Sequence, residues 1–129
     1  MGRLTRRLGD AELEIMQVIW ESGGAVRSTY VQQQLKEQRD WSLPAVATAL
    51  SRLVEKGFLS CEKEGRGNLY RPLVSAADYQ AVEGRSLLHR LYGDSFTGMV
   101  AALYRGKAIS RADLAELRDF LDELEKEEE

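Results

Sequence analysis

Apolar residues recur at helical spacing through the first 56 residues and then change to a strand-like pattern. Leu13, Met16, Val18, Ile19 and Trp20 form one broad face over residues 11–21. Asp10, Glu12 and Glu14 stand near the end where a helix carries partial positive charge, so the pattern predicts a first helix capped by Asp10. Ser22-Gly23-Gly24 stops it. A second helix is expected over residues 27–38, with Tyr30, Val31 and Leu35 inward and Gln32, Gln33 and Gln34 on a wetter side. The third opens at Trp41-Ser42-Leu43-Pro44, where Ser42 can cap and Pro44 is tolerated only in the first turn. It runs to Lys56 and ends at Gly57, with Val46, Leu50, Leu53 and Val54 as a buried stripe. Ala45, Thr48 and Arg52 lie on the opposite side, flanked by Ser51, Glu55 and Lys56.

A β-hairpin is expected next: a strand over residues 58–64, a turn at Gly65-Arg66-Gly67-Asn68, and a second strand over residues 69–74. The glycines and Asn68 suit positive φ angles, and Pro72 favours an edge strand. Three helices followed by a hairpin is the order of a winged helix-turn-helix. The remainder reads as helical: residues 76–92 after a Ser75 cap, residues 96–104, and a last helix begun by the capping box Ser110-Arg111-Ala112-Asp113. Leu114, Leu117, Leu121 and Leu124 form a heptad-like seam in that last helix. The fold class is therefore mainly α with a small β-hairpin. A winged-helix head over residues 1–74 precedes a helical region, residues 75–129.

Charge changes this picture only once it is divided. The 129 residues carry a net charge of −3, which argues against binding nucleic acid by bulk positive charge. Residues 1–74, however, hold 11 Lys+Arg against 9 Asp+Glu, and residues 75–129 hold 7 against 12. A weakly basic head precedes an acidic tail. One cysteine, Cys61, cannot form an internal disulfide. No stretch approaches the roughly 20 apolar residues of a bilayer span. Charges follow the basic N-terminus at once, so no signal peptide and no membrane insertion are expected, and the cytoplasm is the expected compartment.

No constellation for catalysis is legible, and no enzyme, metal site or cofactor is expected. His89 is the only histidine and lies among leucines; Cys61 has no CxxC partner. Nucleic acid is the better match. Ala45, Thr48 and Arg52 would show a major groove the narrow strip of small, polar and basic side chains that a recognition helix needs, with Ser42 and Ser51 beside it. Lys56 would reach a flanking phosphate. Arg66 at the hairpin tip would enter a minor groove or touch its phosphates, and Arg3, Arg6 and Arg7 would add a basic arm. The alternative is an interaction adaptor that keeps the fold but does not bind DNA.

Four blocks carry a resemblance: Leu8-Gly-Asp-Ala-Glu-Leu-Glu-Ile-Met-Gln-Val-Ile-Trp20, Trp41-Ser42, Arg52-Leu53-Val54-Glu55-Lys56-Gly57, and Gly65-Arg66-Gly67-Asn68-Leu69-Tyr70. Together they resemble the BlaI/MecI family of bacterial repressors of β-lactam resistance genes, over nearly the whole chain. The resemblance implies a homodimer on a palindromic double-stranded DNA operator, a C-terminal dimerisation region and a sensor-protease system that releases the repressor. Met99, Val100 and Leu103 with Leu114, Leu117, Leu121 and Leu124 are then the expected interface. The family's recognition helix carries Thr-x-x-Thr, where this chain has Ala45 and Thr48. Its cleaved Asn-Phe bond aligns with Ala102-Leu103. The copper-responsive branch carries C-terminal cysteines, and none follows Cys61 here.

Overall fold

The computed structural model describes residues 7–128. In chain order these form α1 (Asp10–Ser22), α2 (Ser28–Leu35), α3 (Leu43–Glu55), β1 (Leu59–Glu64), β2 (Gly67–Pro72), α4 (Ala76–Tyr92), α5 (Phe96–Arg105) and α6 (Arg111–Glu128). The class is the expected one, mainly helical with one antiparallel hairpin.

The cap of α1 differs from the expectation. Gly9 is the N-cap and Asp10 the first helical residue. Gly9 has no side chain to offer the helix, but the Glu12 carboxylate reaches back and accepts its N–H at 3.1 Å. Asp10 therefore faces the positive end of the helix from within it. α2 is shorter than its pattern implied. Val31 and Leu35 are its buried residues, and beyond Leu35 nothing apolar holds it to the core. The amides of Gln38 and Arg39 instead close a turn on the Leu35 carbonyl, both at 2.9 Å. α3 begins as expected, with the Ser42 hydroxyl accepting the Ala45 N–H at 3.2 Å.

The hairpin turn is tighter than expected. Glu64 pairs with Gly67, which leaves the two-residue turn Gly65-Arg66. Gly65 takes φ +63°, as the first position of a type II′ turn requires. The outer edge of β2 is tied to the α1–α2 linker: Val26 donates to the Tyr70 carbonyl at 3.0 Å and accepts from the Tyr70 N–H at 2.8 Å.

Ile15, Met16 and Ile19 of α1, Val31 and Leu35 of α2, and Val46, Ala49, Leu50 and Leu53 of α3 are buried with Phe58, Leu59 and Tyr70. Tyr79 of α4 closes this core. Its ring packs edge-on to Phe58 at 5.7 Å and against Trp20 at 6.0 Å. Its hydroxyl accepts the Leu8 N–H at 2.9 Å, while the Trp20 indole donates to the Val74 carbonyl at 2.9 Å. The compact head thus takes in the first turns of α4, and a second compact unit begins at Arg85.

That second unit has no buried residue among those described. Its helix ends are nevertheless well defined. The Ser95 hydroxyl accepts the Gly98 N–H at 2.9 Å. The Ser110–Asp113 box forms in both directions, at 2.7 and 3.2 Å. Leu91, Phe96, Tyr104, Phe120, Leu121 and Leu124 are all exposed.

Candidate nucleic-acid interface

Helix α3 divides sharply into two sides. Val46, Ala49, Leu50 and Leu53 are fully or almost fully buried. Ser42, Thr48, Ser51 and Arg52 are exposed, with Ala45 half-buried between them. This follows from the 3.6-residue repeat: one stripe of the helix enters the core and the other is presented outward. A shallow hollow of about 500 Å³ lined by Arg39, Asp40, Trp41, Ser42 and Ala45 lies at the start of the helix. The turn before it is held by Gln32, whose side-chain amide donates to the Trp41 carbonyl at 2.9 Å. Gln32 belongs to the expected wetter side of α2, and nothing local in the sequence marks its bond to Trp41.

Thr48 does not have a free hydroxyl. Its Oγ1 donates to the Pro44 carbonyl at 3.0 Å, one turn back. The oxygen's lone pairs and the methyl remain available. Arg52 and Arg66 are exposed, and neither forms an ion pair among the described residues. Arg66 occupies the second position of the hairpin turn.

Two expected phosphate contacts are placed differently. The Lys56 ammonium is not presented outward: it donates to both Glu12 carboxylate oxygens, at 2.6 and 2.8 Å, with side-chain exposures of 31% and 16%. Burial alone would raise the Glu12 carboxyl. The Lys56 and Gly9 hydrogen bonds, with the charges of Lys56 and Arg52, outweigh it and hold the group below its usual range. A lysine neutralised in this way has little left for a phosphate. Arg7 pairs with Glu83 of α4 at 3.4 Å. Arg3 and Arg6 lie outside the described residues.

The expected interface residues of the second unit lie on α5 and α6. Met99, Val100, Leu103, Leu114 and Leu117 are half-buried, and Leu121 and Leu124 are exposed. Cys61 is an exposed free thiol on β1. No group of His, Cys, Asp and Glu among the described residues is arranged to hold a metal ion.

Comparison with known proteins agrees with this geometry. The sequence profile of the family described as penicillinase repressor matches residues 8–123. The chain is 34% identical to the penicillinase repressor of Bacillus licheniformis over 117 residues, covering 91% of each. It is 26% identical to the methicillin resistance regulatory protein MecI of Staphylococcus aureus strain N315 over 122 residues, covering 95% of this chain and 98% of that one. The solved DNA-binding domain of the repressor BlaI is similar at a TM-score of 0.50 and 38% identity, over 57% of this chain and 88% of that one.

Proposed function

The chain belongs to the penicillinase repressor family, and from that premise we propose that it is a sequence-specific DNA-binding transcriptional repressor that acts as a homodimer on a palindromic operator. The outward strip of α3 carries this reading. Ser42, Ala45, Thr48, Ser51 and Arg52 offer small and polar groups with one long cation, on a helix rigidly seated by its other face. That is the surface a major groove accepts. Arg52 reads a guanine edge or clamps a phosphate, and Arg66 on the wing holds the flanking backbone.

The dimer is supported by the second unit. Helices α5 and α6 expose Phe96, Phe120, Leu121 and Leu124 and bury nothing fully. A second copy of the same seam would give these residues an apolar cover that the described residues of one chain leave incomplete. Two heads then meet half-sites about 10 bp, or a multiple, apart. No helix among the described residues is long and apolar enough to cross a membrane, in keeping with work on DNA in the cytoplasm. A sensor-protease system is the natural partner for release. Cutting Ala102-Leu103 is disfavoured, since the pair is not Asn-Phe and lies inside α5.

The test is binding of the full chain to duplexes enriched from a random pool, across a salt series. Several phosphate contacts give a steep loss of affinity with salt. Arg52→Ala is expected to cost about 1–3 kcal/mol on the preferred duplex and to relax one base position. No duplex binding at any salt would leave the adaptor reading in its place.

A further inference from the structure

The linker between α1 and α2 touches the hairpin twice. Val26 pairs with Tyr70, as described. Its neighbour Arg27 reaches the turn: Nη2 donates to the Glu64 backbone carbonyl at 3.1 Å and lies 3.7 Å from Glu64 Oε1. On the other strand, Nη1 lies 2.5 Å from where a Cβ on Gly67 would stand. Glu64 and Gly67 are the pair that closes the turn, and Arg66 sits between them. One guanidinium therefore lies against both ends of the segment that carries the wing arginine.

Gly67 gains an explanation from this contact. It does not adopt a positive φ, so its backbone does not call for glycine. The space taken by the Arg27 guanidinium does.

We infer that Arg27 is a positioning residue of the wing, whose grip on Glu64 and Gly67 sets where Arg66 meets the duplex. The inference rests on the DNA-binding reading above. A two-stranded hairpin is marginal by itself, and residues 61–66 at its end are all exposed. An exposed Arg–Glu pair adds little to stability. What a planar fork bonded to the turn does supply is order, because it removes conformations that Arg66 would otherwise give up on binding. Arg27 spends its own charge on Glu64 and so is a support for the DNA contact, not the contact itself.

Gly67→Ala separates these roles, because it leaves every charge in place. The methyl meets only the far end of a flexible side chain, so it displaces Arg27 at little cost to the fold. The experiment measures anisotropy of a labelled duplex, enriched from a random pool by the wild-type full chain, at 0.15 M salt. The variants are Arg66→Ala, Arg27→Gln, Gly67→Ala, and the last two each combined with Arg66→Ala. One phosphate contact is worth about fivefold in affinity at this salt relative to 1 M, so each single variant should lose about fivefold. Each double variant should lose no more than Arg66→Ala alone, and the thermal midpoints of Arg27→Gln and Gly67→Ala should stay within about 3 °C of wild type. Multiplied losses of about 25-fold in the doubles would overturn the inference by making Arg27 a phosphate contact of its own. It is equally overturned if Arg66→Ala changes nothing, if Gly67→Ala and Arg27→Gln bind like wild type, or if both lower the midpoint well beyond that range. A wild-type chain that binds no duplex would remove the DNA-binding reading as well; binding with unaffected variants would remove this inference alone.

Discussion

Replacing Lys56 by methionine should cost stability and leave DNA binding nearly intact. Its ammonium makes two short hydrogen bonds to Glu12, at 2.6 and 2.8 Å, across the α1–α3 contact, and the two side chains are 31% and 16% exposed. Exposed pairs contribute about 0–1 kcal/mol, and breaking a fully buried pair costs about 3–5 kcal/mol. An intermediate burial places this one at about 1–2 kcal/mol, with the larger share coming from a Glu12 carboxylate left with the Gly9 N–H alone. For a head of this size that lowers the thermal midpoint by about 4–16 °C. Denaturant unfolding of wild type, Lys56→Met, Glu12→Gln and the double variant would give the coupling directly. The sign with pH follows from Glu12, whose folded-state carboxyl is held below its usual range. Its contribution is present above the unfolded carboxylate value of about 4.3 and is lost as pH falls through the lower folded value, so the gap between wild type and Lys56→Met should narrow below about pH 4.3. In the same proteins, duplex affinity should fall only through the field of the unpaired Glu12 carboxylate, by less than the roughly fivefold that loss of a direct phosphate contact costs. Unchanged stability, with lost affinity and a salt slope lowered by about one, would refute this placement of Lys56.

Two further outcomes follow from other parts of the molecule. Tyr79→Phe should destabilise the head by about 1–3 kcal/mol by leaving the buried Leu8 N–H without its acceptor, read as a fall in denaturation midpoint at constant m-value. If the proposed dimer forms, Leu121→Asp should shift the full chain from dimer to monomer in light scattering at micromolar concentration, and should weaken operator binding far more than binding by a single head; a variant as dimeric as wild type would place the interface elsewhere, and a monomeric wild type would remove the dimer.

The parts of this fold governed by neighbours in sequence were the legible ones. Ser42, Pro44 and the stripe Val46-Leu50-Leu53 act within one helix, and they predicted both the start of α3 and which side it buries. The Ser110–Asp113 box likewise spans a single turn. What could not be read depends on distant partners. Lys56 shares a helical face with Arg52, so spacing alone placed it with the DNA contacts; Glu12 lies 44 residues earlier. Arg27 and the wing are 37 residues apart, and the glycine that accommodates it looked like a turn residue. Tyr79 lay beyond the expected end of the head at Val74, and only packing against Trp20 and Phe58 brings its ring into that core. The Gly9 cap was missed for a different reason: its bond comes from the Glu12 carboxylate rather than from a side chain at the cap.

On the proposed reading of α3 as the recognition helix, the bond from Thr48 to the Pro44 carbonyl limits what that helix can say to a base. With its proton committed one turn back, Thr48 would meet a base edge as an acceptor and a methyl group. Guanine shows the major groove only acceptors at N7 and O6, so it has nothing to give this side chain. Adenine and cytosine offer amino protons, and thymine offers a methyl. Arg52, carrying donors alone, has the opposite preference. The two residues, one turn apart on α3, would thus each favour opposite bases on the strand they read, guanine for Arg52 and any base but guanine for Thr48, an asymmetry that should appear in the selected sequences.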